Sequence, residues 1–193
     1  FYLLIMEFLR HETIERIFFL KEKFPKDSKI LIIDSTDYVT LFDLGDYIED
    51  KGKIVVLTKY IKDLNQKVKD FGYLKKILVI NKKVFYKIKS KTIDYIVWVS
   101  PNLKEKDFLD DISLTYKFLK EDGKLYLLFD KEMKLLEEFK VKLLHKADIN
   151  ETIGILEKIG FKKPFYEKNY AGRGLSIYII IAKKIEPFIS PFE

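Results

Sequence analysis

Five short stretches of this chain, ILII at 30–33, IVVL at 54–57, ILVI at 77–80, IVWV at 96–99 and LYLL at 125–128, are apolar at every position. A strand with one wet face alternates apolar and polar side chains. A strand that is apolar throughout has to be covered on both faces, as in a parallel sheet flanked by helices. The segments between the runs have helical spacing. Leu41, Leu44, Gly45 and Ile48 form one stripe, Ile61, Leu64, Val68 and Phe71 a second, and Leu109, Ile112, Tyr116 and Leu119 a third. Gly52, Gly72 and Gly123 stand where helices would end, just ahead of the next strand. Asn102 with Glu105, and Asp148 with Glu151, have the spacing of helix-starting capping boxes. The pattern predicts an α/β doubly wound sheet, mostly parallel, with strands near 29–34, 53–58, 76–80, 94–99 and 124–129.

The C-terminal part reads differently. Helices are expected near 131–145 and 149–159, after which Gly160 leads into FKKPFYEK, a turn NYAGRG and the run LSIYIIIAKK. Too few residues separate these last two runs for a crossover helix, so they should pair antiparallel, with the final strand near 175–183. With 193 residues, 48% of them hydrophobic, and with no repeat or low-complexity linker, the expectation is a single domain over 1–193. It divides into an N-terminal helical segment (1–27), core βα units (28–130) and C-terminal helices with an antiparallel hairpin (131–193). The opening FYLLIMEFLRHETIERIFFL carries Glu7, Arg10, Glu12, Glu15 and Arg16. It is too polar for a membrane span and lacks a signal-peptide pattern, so an amphipathic helix is expected. Met6 offers an alternative start, which would make residues 1–5 an extension or a trimmed remnant.

The absence of cysteine and the presence of only two histidines, His11 and His145, exclude disulfides, thiolate zinc sites and a cysteine nucleophile. No bound metal is expected, and nothing arranges a Ser-His-Asp set. Net charge is +6, from 36 basic and 30 acidic residues, which is compatible with a nucleic-acid or acidic partner without specifying one. The Lys, Glu and Ile enrichment is thermophile-like, and the expected location is cytoplasmic.

The order of elements and several local phrases resemble the class I S-adenosylmethionine-dependent methyltransferases, over residues 29 to 184. KILIIDSTDYVTLFDLGDYIEDKGKIVVL resembles the family's first strand, cofactor turn, helix and second strand. KTIDYIVWVSPNL is similar to its fourth strand, with Asp94 at the common acidic entry. YKFLKEDGKLYLLF resembles the phrase leading into strand five, ILEKIGF the helix before the antiparallel pair, and GLSIYIIIAKK the last strand. The resemblance implies a cofactor cleft at the C-terminal ends of strands one, two and four. There Asp34, Ser35, Thr36 and Tyr38 would line the methionine side, Thr58 would lie near the ribose, Asn81 near the adenine, and Ser100 near the transferred methyl group.

The departures from the family fall on this same site. The family's first turn is glycine-rich so that backbone amides face the ligand; residues 34–38 are Asp-Ser-Thr-Asp-Tyr. Its second strand ends in a carboxylate that accepts from both ribose hydroxyls; Thr58 and Lys59 stand here. An acidic residue follows its third strand; here the residues are Asn81 and Lys82. Each such contact is worth on the order of 1–3 kcal/mol. Asp34 is either the family's acidic residue or part of a helix cap with Thr36 and Asp37. Asn81 is an adenine acceptor or a turn former. VSPNL, with Ser100 and Asn102, is faintly similar to the signature of base-amino methylating enzymes or is a proline turn with a helix cap.

Two stretches suggest partners. Lys82, Lys83, Lys87, Lys89 and Lys91, interleaved with Phe85 and Tyr86, form either a nucleic-acid contact or a solvated lysine-rich loop. Arg173, between glycines in YAGRG, is a basic tip or a plain hairpin turn. Two functions follow. One is a methyltransferase with divergent cofactor contacts, acting on a small molecule, protein or RNA. The other is a catalytically silent methyltransferase-like fold serving as a binding or partner subunit. A nicotinamide oxidoreductase is disfavoured, because its glycine fingerprint is missing too, and there is no phosphate-binding loop.

Overall fold

The computed structural model describes residues 13–130, 146–170 and 176–185. The element order is α1 (Ile14–Lys21), β1 (Lys29–Ile33), α2 (Tyr38–Tyr47), β2 (Lys53–Leu57), α3 (Ile61–Asp70), β3 (Ile77–Ile80), α4 (Lys82–Phe85), β4 (Ile93–Val99), α5 (Phe108–Phe118), β5 (Leu119–Asp130), α6 (Lys146–Ile159), β6 (Lys162–Tyr170) and β7 (Ser176–Lys183). The strands form one seven-stranded sheet in the order β3-β2-β1-β4-β5-β7-β6. β1 through β5 are parallel, and β7 runs antiparallel between β5 and β6. The sequence expectations for the parallel runs and the antiparallel final pair agree with this arrangement.

The continuous apolar runs are explained by the two cores. Ile30, Ile32, Ile54, Val56, Val97 and Val99 face one side, where Ile14, Ile17 and Phe18 of α1, Leu41 and Leu44 of α2, and Leu64 and Val68 of α3 cover them. Leu31, Ile33, Val55, Leu57, Ile96 and Trp98 face the other, against Phe85, Phe108, Ile112, Phe118 and Leu156. Alternate residues of each strand thus enter opposite cores, so neither set can be polar. Asp94 anchors the entry of β4: its Oδ2 accepts the Lys29 N–H at 2.8 Å and its Oδ1 the Lys120 ammonium at 2.7 Å.

Several local expectations need correction. Phe71 is 66% exposed and sets its ring at a tilt against Phe42, with centres 5.2 Å apart, instead of closing the α3 stripe, because α3 ends at Asp70. Phe108, not Leu109, enters the core at the start of α5; Leu109 is 55% exposed. Leu119 begins β5. Of the three expected caps only Gly72 (φ +79) closes a helix, through its N–H to Lys69 O. Gly52 serves close packing: a Cβ there would lie 2.6 Å from Lys26 O. Gly123 lies within β5. Asn102 caps a turn at Lys104, whereas α5 begins at Phe108 behind Asp107. Asp148 and Glu151 lie inside α6. The expected helix over 131–145, both histidines, Arg173 with most of its turn, and residues 1–12 lie outside the described residues. Among the described residues no helix is long and apolar enough to cross a membrane.

Candidate functional site

Strand order reverses between β1 and β4, and open α/β sheets bind ligands in the crevice beyond the C-terminal strand ends at such a switch. Two residues mark it with left-handed backbone, Asp34 after β1 (φ +60) and Ser100 after β4 (φ +47). The Asp34 N–H donates to Leu57 O at 2.9 Å and the Ser100 N–H to Leu128 O at 2.8 Å, so each residue extends its ladder one step before the chain turns. Aspartate tolerates this conformation better than most residues. The indole N–H of Trp98 donates to Asp34 Oδ2 at 3.1 Å and ties the two strand ends together. Burial pushes the Asp34 carboxyl above its ordinary range. The Trp98 hydrogen bond opposes this, Glu105 adds to it, and the charges of Lys82 and Lys59 pull the other way.

The turn that follows is held from below by α1. Glu15, fully buried, accepts from Ser35 Oγ at 2.6 Å, from the Thr36 N–H at 2.8 Å and from Thr36 Oγ1 at 3.3 Å. Burial raises its pKa even against these hydrogen bonds. Asp37 caps α2, taking the Thr40 N–H at 3.0 Å and Thr40 Oγ1 at 2.7 Å, and also accepts from Thr13 Oγ1 at 2.6 Å. Burial would raise the Asp37 pKa, but the donors Thr13 and Thr40 outweigh it and hold the carboxyl low. Both carboxylates therefore fasten the turn to the N-terminal helix.

The remaining expected site residues have local partners. Thr58, buried at the end of β2, accepts the Tyr60 N–H at 3.1 Å in a turn leading to α3. Tyr38 lies beside α3, with the Lys67 ammonium 5.0 Å from its ring centre and a phenol raised by burial and by Asp63. Asn81 caps α4 by accepting the Val84 N–H at 3.0 Å. Its neighbour Lys82 pairs with the buried Asp111 of α5, with Asp107 4.0 Å away. The basic stretch is divided accordingly. Lys82 and Lys91 are in ion pairs, Lys91 with Glu121 at 3.0 Å, Phe85 is fully buried, and Lys83, Lys87 and Lys89 are exposed.

The sheet switch thus brings Asp34 and Ser100 together, while Thr58 and Asn81 end neighbouring strands. Glu15, Trp98 and Asp111 were missed by the sequence reading. Glu15 had a signal: it is a carboxylate beside Ile14, Ile17 and Phe18 on the buried side of α1. Set against the contacts that the family resemblance implies, the Thr36 amide, the Thr58 hydroxyl and the Asn81 side-chain oxygen are all engaged within the chain. The residues present do not match a cofactor site of that pattern.

No family model matches the sequence, and no curated protein does. Solved structures match the fold. A SAM-dependent methyltransferase from Aquifex aeolicus superposes with a TM-score of 0.63 at 17% identity, over 91% of this chain and 89% of its own. One from Methanosarcina mazei gives 0.61 at 14% identity, over 85% and 95%. The cyclase SpnF gives 0.65 at 10% identity, over 92% and 81%. The chain has the class I methyltransferase fold. SpnF, named for a cyclisation, illustrates that this scaffold carries more than one chemistry.

Proposed function

We propose that this protein is a methyltransferase-fold binding subunit whose cofactor turn is occupied from within its own chain. The observation that carries the reading is Glu15: its carboxylate takes the Thr36 amide and the Ser35 hydroxyl, the groups that a ligand at this turn would need. The commitment of Thr58 to the Tyr60 amide and of Asn81 to the Val84 amide supports it at two further contact points. Replacing three contacts of about 1–3 kcal/mol each by internal ones lowers affinity by orders of magnitude. The test is a calorimetric titration with S-adenosylmethionine and with its demethylated product. The expected result is no saturable binding in the micromolar range; a micromolar isotherm overturns the proposal.

The second reading is a working methyltransferase with unusual contacts. One observation favours it: the Asp34 carboxylate stands at the switch point near Lys59 and Lys82, where the fold binds ligands. Under that reading Asp34, Ser35, Thr36, Tyr38, Thr58, Asn81 and Ser100 line the ligand, and the same titration gives binding.

A further inference from the structure

We propose that the β3 edge of the sheet is a docking surface for an extended segment of another protein, apolar at its centre and acidic at its ends. The inference rests on the reading of this chain as a binding subunit and names that subunit's contact. Among the described residues β3 is the outermost strand and pairs only with β2. The Ile54 N–H donates to Lys76 O. In a parallel ladder alternate residues bond to a given neighbour, so Lys76, Leu78 and Ile80 turn their backbone groups to β2 and Val79 turns its N–H and C=O outward. The outward N–H of Ile77 is taken by Tyr73 O, which leaves the Ile77 carbonyl and both groups of Val79 directed to the open side.

Protein sheets usually blunt such an edge by covering it or by charging it. Among the described residues the cover is slight. The crossover from β3 to β4 contains only the four-residue α4, against ten residues in α2 and α3. Leu78 at mid-strand is 48% exposed, Leu74 just before the strand 59%, and Val84 just after it 44%. Lys82 faces α5 through its pair with Asp111. At about 100° per residue Val84, two positions on, then points away from α5. Three aliphatic side chains therefore accompany the open backbone groups.

The edge segment itself carries charge of one sign. Residues 74–91 include Lys75, Lys76, Lys82, Lys83, Lys87, Lys89 and Lys91 and no Asp or Glu. Lys75, Lys83, Lys87 and Lys89 are exposed, and the ion pairs among the described residues do not include them. A second copy docking antiparallel would set Lys75 and Lys76 against Lys82 and Lys83, a repulsive arrangement. A nucleic acid would want a row of aromatic stacking platforms; Tyr86 is exposed beside this edge, but Phe85 is buried and the exposed side chains flanking the open backbone groups, Leu74, Leu78 and Val84, are aliphatic. An added strand with acidic flanks satisfies the backbone, the aliphatic row and the lysines together.

The test uses a synthetic peptide with a Val-Thr-Ile-Thr-Val centre and two glutamates at each end, titrated into the full chain and followed by NMR. Comparators are a peptide of equal charge with a Ser-Gly centre and a polyuridylate of equal charge. Binding of the first peptide should shift residues 75–84 and increase amide-exchange protection at Val79. Leu78→Asp and, separately, Val84→Asp should weaken it at least tenfold while the melting temperature stays within a few degrees. Equal binding of the Ser-Gly peptide, tighter binding of polyuridylate, shifts away from β3, or indifference to both substitutions each overturn the proposal. A micromolar S-adenosylmethionine isotherm would defeat the proposed function and leave the peptide result standing, so the two failures are separable.

Discussion

The indole N–H of Trp98 donates to the carboxylate of Asp34 at 3.1 Å and bridges the ends of β4 and β1 at the point where strand order reverses. Ligands of open α/β sheets sit just beyond these strand ends; here a side-chain hydrogen bond spans them. Trp98 is also held by Phe108, with ring centres 5.4 Å apart, so the indole has little freedom to swing away.

Replacing Trp98 by Phe should therefore register on Asp34. The carboxyl is already raised by burial, and the indole hydrogen bond is the largest influence lowering it. Without that donor the Asp34 pKa should rise further, as read from its side-chain carbon shift in an NMR pH titration. The loss of one hydrogen bond to a charged group costs on the order of 2 kcal/mol. An Asp34 titration curve identical in the two proteins would show that the indole does not hold the carboxylate.

Glu15 makes stability depend on pH in a defined direction. Burial raises its folded pKa above the ordinary value of 4.5. A carboxyl raised on folding contributes stability that is fully present below its unfolded pKa and is lost as pH rises through the folded value. Glu15→Gln keeps an acceptor for the Thr36 amide and removes this titration. Its stability relative to wild type should rise with pH, starting near the unfolded value and levelling off above the raised one. Urea unfolding at several pH values measures this. Glu15→Ala leaves the Thr36 amide and the Ser35 hydroxyl without their acceptor and should cost about 2 kcal/mol below the unfolded pKa, a cost that shrinks as pH rises because the same titration is removed.

The Lys82–Asp111 pair should be asymmetric. Asp111 is buried, with its side chain 7% exposed, whereas that of Lys82 is 42% exposed. Lys82→Ala strands a carboxylate inside α5 and should cost on the order of 2–3 kcal/mol, after allowance for the partial exposure of the pair. Asp111→Asn leaves a lysine that can reach solvent and should cost about 1 kcal/mol. Chemical denaturation of the two variants compares them directly, and equal losses would contradict the burial argument.

What the sequence disclosed and what it withheld divide along physical lines. A strand covered on both faces has to be apolar at every position, so Ile30–Ile33 and its counterparts announced themselves. The short spacing between β6 and β7 permitted no crossover, which set their antiparallel pairing. Helix faces were legible only to within one residue. Phe108 and Leu109 are both apolar, and only the approach of α5 to Trp98 decides which is buried. The candidate site was legible as a place and by its missing glycines. Its actual contacts join residues far apart in sequence, Glu15 to Thr36 and Asp34 to Trp98, and no local pattern encodes those distances.

The last prediction concerns whether internal occupation of the turn is what keeps the cofactor out. If Glu15 takes the groups a ligand needs, removing its carboxylate should release the Thr36 amide and the Ser35 hydroxyl toward the cleft. The ribose side needs a second change, since Thr58 is committed to the Tyr60 amide and a lone hydroxyl cannot supply a carboxylate's two charged acceptors. An aspartate there could cap Tyr60 with one oxygen and present the other to a ribose hydroxyl. The double variant Glu15→Ala, Thr58→Asp should therefore bind S-adenosylmethionine at least tenfold more tightly than wild type, a gain of about 1.4 kcal/mol or more. Each single variant should gain less. Calorimetry on the four proteins, each checked for a cooperative melt, forms a complete cycle. A double variant no tighter than wild type would mean that something other than Glu15 and Thr58 closes this cleft to the cofactor.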